Sequence, residues 1–115
     1  MTRVLIVDDD PDILESLEMV LSESFDVVTA LDGREALRIL SEGPVDVAVV
    51  DLMMPVLDGE SLVREMRARG IATPVILISA TPELRRLASR IDAAATLQKP
   101  FDVADLERCI AAVAR

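Results

Sequence analysis

Short runs of branched apolar residues recur along the chain at Val4–Val7, Val27–Ala30, Val45–Val50 and Val75–Ile78, with a weaker fifth at Ala95–Leu97. The first four are rich in β-branched residues and bounded by Asp, Gly or Pro, which predicts strands. Val45-Asp46-Val47-Ala48-Val49-Val50 is nearly continuous, the reading expected of a strand buried on both faces. Between these runs the apolar spacing changes to that of a helix. Pro11–Glu23 sets Leu14, Leu17 and Leu21 on one stripe, with Asp10 as N-cap and Pro11 in the first turn. A second helix opens at Asp32 or Gly33, carries Ala36, Leu37 and Leu40, and stops at Gly43-Pro44. Glu60–Arg69 carries Leu62, Val63 and Met66 and meets Gly70, while Pro82–Ile91 carries Leu84, Leu87, Ala88 and Ile91. Asp102–Ala114 carries Val103, Leu106, Ile110 and Val113, with Asp102 as its N-cap.

Strand and helix therefore alternate five times. Right-handed crossovers then give an α/β fold, a doubly wound five-stranded parallel sheet with five helices on two faces. The 115 residues suit one domain, with short connections throughout and no internal repeat or linker. With 51% hydrophobic but 2% aromatic residues, Val, Leu, Ile and Ala must fill the core.

Charge narrows the functional classes. Twelve basic and 21 acidic residues leave a net charge of −9, unsuited to binding nucleic acid or an anionic membrane surface directly. Cys109 is the single cysteine, which excludes an internal disulfide and suits a reducing compartment. The first apolar run meets Asp8-Asp9-Asp10 at once, unlike a signal peptide, and no run approaches the roughly 20 residues of a membrane-spanning helix. A cytoplasmic protein is expected.

Ligands of an open doubly wound sheet bind beyond the carboxyl ends of its strands, where strand order reverses. The first run ends in Asp8-Asp9-Asp10, the third in Asp51, the fourth in Ser79-Ala80-Thr81 and the fifth in Lys99-Pro100. If the strand order is 2-1-3-4-5, Asp8, Asp9 and Asp51 share one pocket with Ser79 and Lys99 on its rim. Two carboxylates 4 Å apart repel by about 4 kcal/mol at an effective dielectric near 20, so such a cluster is not kept for stability. A hard divalent cation relieves it, and oxygen-only ligands suit Mg²⁺. The chain has no His, which argues against Zn²⁺ and removes Ser–His and Cys–His catalysis. A carboxylate can itself be a nucleophile and form an aspartyl phosphate, with Lys99 and Ser79 contacting the phosphoryl oxygens. Taken singly, these residues have simpler explanations. Asp10 and Asp102 are helix caps, Lys99 a surface lysine, Ser79 a turn residue, and Met54 and Cys109 packing residues. The signal lies in their joint placement at strand ends.

The same residues resemble the receiver domain of two-component response regulators, over Val4 to Ala114. Val-Leu-Ile-Val-Asp8-Asp9-Asp10-Pro11 is similar to the family's first strand and acidic pair, and Asp51-Leu-Met-Met54-Pro55-Val-Leu-Asp58-Gly59 to its phosphoacceptor strand and loop. Ile78-Ser79-Ala80 matches its hydroxyl-bearing strand end, and Lys99-Pro100-Phe101 its lysine motif. The resemblance implies a flavodoxin-like fold over residues 1–115, Asp51 as phosphoacceptor, and a cis bond between Lys99 and Pro100. It implies Mg²⁺ bound by Asp9, Asp51 and the Met53 carbonyl, with Asp8 acting largely through water. Ser79 and Lys99 would complete the catalytic set. The phosphodonor would be a histidine kinase or histidine phosphotransfer protein, docking near the first helix. Output would pass to a downstream protein or an attached output domain, and phosphorylation-dependent homodimers are a further expectation. Such a module phosphorylates and dephosphorylates itself but is not an enzyme acting on a separate substrate.

Some positions depart from the family pattern. Thr96 stands where an aromatic switch residue is usual, Asp92 where a Gly commonly precedes the fifth strand, and the Ser79–Lys99 segment is about two residues short. The fourth helix or its loop is therefore expected to be trimmed and the output altered. Met53 and Thr81 occupy variable positions beside the phosphoryl pocket. Two other readings stand beside the leading one. A degenerate receiver would serve only as a binding or dimerisation surface. A Mg²⁺-dependent phosphatase with an Asp nucleophile would normally carry a second Asp where Met53 stands, and the chain has no room for a substrate cap.

Overall fold

The five central apolar runs lie side by side because each needs cover on both faces. In the computed structural model, which describes residues 1–54 and 57–114, the elements follow strictly in turn. They are β1 (Arg3–Val7), α1 (Pro11–Leu21), β2 (Asp26–Ala30), α2 (Gly33–Glu42), β3 (Val47–Asp51), α3 (Gly59–Ala68), β4 (Val75–Ser79), α4 (Leu84–Arg90), β5 (Ala95–Gln98) and α5 (Val103–Val113). All strand pairs are parallel and the order is β2-β1-β3-β4-β5, the doubly wound arrangement expected from the sequence. Val4 lies opposite Val27 on one side and Val47 on the other, and Asp51 lies opposite Ile78.

The two-residue period of the strands splits the core in two. Leu5, Val7, Ala48, Val50, Val75 and Leu77 pack beneath α2, α3 and α4. Val4, Ile6, Val47, Val49, Ile76 and Ile78 pack beneath α1 and α5, against Leu14, Leu17, Leu21, Leu106 and Ile110. The central strands have no exposed side, so a nearly unbroken apolar run is what they require. Cys109 packs half-buried against the second core, and burial pushes its thiol pKa up, which keeps it protonated and inert. Among the described residues no helix is long and apolar enough to cross a membrane.

Caps set the helix starts. Asp10, Asp32 and Asp58 each accept a hydrogen bond from a backbone N–H in the first turn, at 3.0, 2.8 and 2.8 Å. At Asp102 the backbone N–H donates to the Asp105 carboxylate at 3.4 Å. Two boundaries differ from the sequence expectation for identifiable reasons. The third strand begins at Val47 rather than Val45, because the Asp46 carboxylate accepts from the Arg3 N–H (2.7 Å) before the ladder starts. α1 ends at Leu21 rather than Glu23, because the N–H groups of Ser24 and Phe25 both turn back onto the Leu21 carbonyl. α4 has seven residues against ten or eleven in the other helices, and begins at Leu84 rather than Pro82.

Two backbone positions carry specific demands. At the end of α3, Gly70 (φ +75°) lets the Ile71 N–H reach the Met66 carbonyl (2.9 Å), closing a Schellman turn. The same bond closes α4, from the Ala93 N–H to the Ala88 carbonyl (3.1 Å), but there the left-handed residue is Asp92 (φ +58°). A Cβ in this conformation costs about 1–2 kcal/mol, somewhat less for Asp. We expect Asp92→Gly to raise stability by about 0.5–1 kcal/mol in urea unfolding, net of the entropy glycine adds to the unfolded chain. Gly59 makes the opposite case: an added Cβ would lie 2.7 Å from the Leu52 Cα and 2.8 Å from the Asp51 carbonyl oxygen, both backbone. Gly59→Ala is therefore expected to cost about 1–3 kcal/mol in the same assay.

Candidate functional site

Because all five strands are parallel, their carboxyl ends open on one edge of the sheet. β1 and β3 are neighbours there, although α1, β2 and α2 lie between them in sequence. Asp8 follows the last residue of β1, Asp51 is the last residue of β3, Ser79 is the last of β4, and Lys99 follows β5. Carboxylate oxygens of Asp8, Asp9 and Asp51 all lie within 4.8 Å of one another. Asp8 and Asp51 are buried, at 1% and 5% exposure, whereas Asp9 is exposed.

Each buried carboxylate is held by its own chain two residues on. The Asp8 Oδ1 accepts from the Asp10 N–H (2.9 Å), and the Asp51 Oδ1 accepts from the Met53 N–H (3.0 Å). The Lys99 Nζ donates to the Asp51 Oδ2 at 3.0 Å and stands 4.0 Å from the Asp8 Oδ2. One lysine thus reaches two carboxylates of a cluster of three. The Asp8 pKa is raised, first by desolvation and then by the charges of Asp51 and Asp9; the Asp10 N–H and Lys99 oppose the shift. Its Oδ2 is buried and has no hydrogen-bond partner among the described residues. An orphaned carboxylate oxygen inside a cluster of three is the feature a hard divalent cation satisfies, so the donor set fits Mg²⁺.

Ser79 is 3% exposed, and its Oγ accepts from the Thr81 N–H at 3.2 Å, which leaves the hydroxyl hydrogen to donate elsewhere. The Lys99 N–H donates to the Ser79 carbonyl (2.9 Å), fixing the base of the lysine beside β4. The Lys99–Pro100 peptide bond is cis. Met53 is 71% exposed at the mouth of the pocket and Met54 is buried in the core, while Pro55 and Val56 of the same loop lie outside the described residues. The polar residues singled out in the sequence therefore come to one edge of the sheet, with Asp8, Asp9 and Asp51 clustered and Lys99 in reach of Asp8 and Asp51.

One feature of the surroundings escaped the sequence reading. A cavity of about 480 Å³ runs beside the lysine, lined by Ile13, Leu17, Ala80, Lys99, Pro100 and Phe101. The helical stripe was read from Leu14, Leu17 and Leu21, so Ile13 fell outside it. Its signal would have been an apolar residue at 38% exposure one step off the core face.

Comparison with known proteins places this geometry. The family model "Response regulator receiver domain" matches residues 4–111. The transcriptional regulatory protein PrrA of Mycobacterium tuberculosis is 45% identical over 116 residues, covering 98% of this chain and 50% of its own length. The response regulator MprA of Mycolicibacterium vanbaalenii is 38% identical over 107 residues, covering 90% of this chain and 46% of its own. The chain thus spans about half the length of these curated relatives. Among solved structures, a receiver domain of Francisella response regulator 1452 superposes with a TM-score of 0.92 at 34% identity, covering 99% of this chain and 97% of that one. The response regulator protein TrrA from Thermotoga maritima, in complex with Mg²⁺ and BeF, superposes with a TM-score of 0.87 at 31% identity, covering 98% of this chain and 99% of that one. On the fold, the acidic pocket and these matches together, the chain belongs to the receiver domain family of two-component response regulators.

Proposed function

We propose that this domain accepts a phosphoryl group on Asp51 from the phosphohistidine of a histidine kinase or phosphotransfer protein, and passes the signal on through a changed surface. The observation that carries the proposal is the state of Asp51. Its carboxylate is buried and tethered through one oxygen to the Met53 N–H and through the other to Lys99, beside two more carboxylates. An Asp51 oxygen attacks phosphorus, the phosphorus–nitrogen bond breaks, and its electron pair returns to the donor's imidazole ring. The Lys99 ammonium stabilises the phosphoryl charge, and the Ser79 hydroxyl donates to a phosphoryl oxygen. Asp8, Asp9, Asp51 and the Met53 carbonyl would hold Mg²⁺, which when bound supplies positive charge against the carboxylates and phosphoryl oxygens. The structure of TrrA with Mg²⁺ and BeF supports this reading.

The cavity beside Lys99 is the entry for the donor, because its apolar walls from α1 and the Pro100–Phe101 segment lead directly to the lysine. The reporting surface is that of α4, β5 and α5: α4 and β5 lie between Ser79 and Lys99 in the chain, and α5 follows Lys99. A phosphoryl group adds about −1.5 to −2 charges, enough to bias such a surface. The partner is a downstream protein or an attached output domain, and a homodimer formed on phosphorylation uses the same face. The module acts in the cytoplasm and turns over no separate substrate. Thr96 and the seven-residue α4 favour a second reading, a receiver that has lost phosphoryl chemistry and acts only by binding.

Incubation with Mg²⁺ and acetyl phosphate separates the two. We expect the intact mass to rise by one phosphoryl group, and no such rise for Asp51→Asn or without Mg²⁺. No uptake from acetyl phosphate or from a phosphohistidine donor, with no affinity for beryllium fluoride, would leave only the binding module. The charge balance gives a second expectation. With divalent ions chelated, Asp8→Asn removes repulsion and is expected to raise stability by about 1–2 kcal/mol, a fraction of the pairwise repulsion at this range. Added Mg²⁺ should then raise the melting temperature of the parent protein but hardly that of the variant.

A further inference from the structure

We propose that the groove between α2 and α3 is a docking site for an acidic peptide segment of a protein partner. The groove has a volume of about 380 Å³ and is lined by Arg34, Leu37, Arg38, Leu57, Glu65 and Arg69. It draws no residue from the phosphoryl pocket, from α1, or from the surface of α4, β5 and α5.

Charge sets this groove apart from the rest of the chain. The net charge is −9, yet the lining gathers three arginines against one glutamate. Arg34 has no carboxylate partner among the described residues. The local sequence explains this, because Ala30, Leu31, Leu37 and Arg38 are the residues one helical turn away. Arg34 and Arg38 stand four residues apart on α2, a spacing at which like charges repel. Arg38 and Arg69 are held from outside that pair. The Arg38 Nη1 donates to both Glu42 carboxylate oxygens, at 2.8 and 3.2 Å, and the Arg69 Nε donates to Glu65 at 3.0 Å. Each of these guanidinium groups is engaged through one nitrogen, and its other donors have no partner among the described residues. Glu42 and Glu65 thus orient two planar forks, while Arg34 is left unneutralised. Carboxylates are the groups such forks match.

The floor of the groove favours a peptide over a simple anion. Leu37 is buried, and Leu57 is half-buried against the same core. Leu57 lies hard against the start of α2, its Cβ 2.8 Å from where a Cβ on Gly33 would stand, so the apolar wall is fixed in place. An apolar side chain resting on Leu37 and Leu57, with an acidic residue on either side, would satisfy the leucines and the arginines together. The groove requires no phosphoryl group, so its test is independent of the reading of Asp51.

The test is a titration of the isotope-labelled protein, followed by the backbone amide signals of Arg34 and Leu57. The probes are acetyl-Glu-Leu-Glu amide, the neutral Gln-Leu-Gln and the smaller Glu-Ala-Glu counterparts, and inorganic phosphate. Saturable shifts are expected with Glu-Leu-Glu, absent with Gln-Leu-Gln and severalfold weaker with Glu-Ala-Glu. Arg34→Gln should weaken binding of Glu-Leu-Glu at least fivefold, and Arg34→Lys, which keeps the charge but loses the fork, by a smaller factor. Arg34 has no ion pair to lose, so the melting temperatures of both variants should not fall below that of the parent and will report that they are folded. Equal response to the Glu and Gln peptides, an unchanged affinity in Arg34→Gln, or no saturable shift would overturn the proposal. Phosphate binding as tightly as Glu-Leu-Glu would overturn it in favour of a free anion. Self-association of the parent in sedimentation, lost in Arg34→Gln, would overturn it in favour of a second copy of the chain.

Discussion

Everything at the working edge of this domain depends on how negative charge is held together at the carboxyl ends of β1 and β3. Three carboxylates converge within 4.8 Å, and a single ammonium, Lys99, reaches two of them. Such an arrangement is unfavourable by itself. It persists because the strands behind it are locked. Val4 to Val7 and Val47 to Val50 are wholly buried and pinned between neighbouring strands, so Asp8 and Asp51 cannot separate without tearing the ladder. The hydrophobic core thus stores an electrostatic imbalance that a cation or a phosphoryl group is positioned to change.

The restraint continues outward in short steps. Asp8 and Asp51 each take a backbone N–H two residues ahead, so each carboxylate is clamped by the loop it begins. Gly59 then brings α3 against the end of β3, with its N–H donating to the Leu52 carbonyl (3.0 Å), an approach that a side chain at this position would block. Lys99 is aligned from the other side by its own N–H on the Ser79 carbonyl. Rigid strand ends supply position, and short loops supply orientation.

Much of this was legible in the residues. The near-continuous Val45–Val50 run could belong only to a strand covered on both faces, and five alternations of strand and helix leave few topologies. The acidic, hydroxyl and lysine residues stood out because they ended those runs. What could not be read was whatever depends on side chains or backbone meeting across the fold. Asp46 shortens β3 by reaching the Arg3 backbone 43 residues away. Asp92 takes a left-handed conformation that its identity does not demand. The orphaned Asp8 Oδ2 likewise exists only in three dimensions.

The segment from Asp8 to Pro11 performs two tasks within one turn of chain. The Asp10 N–H clamps the Asp8 carboxylate while the Asp10 side chain caps α1. Its length is therefore a fixed ruler. Each residue of an α-helix turns it by about 100°, so inserting or deleting one residue here would swing Ile13 and Leu17 away from the cleft beside Lys99 even if every side chain were kept. Over evolutionary time this connection should tolerate substitution far better than change of length.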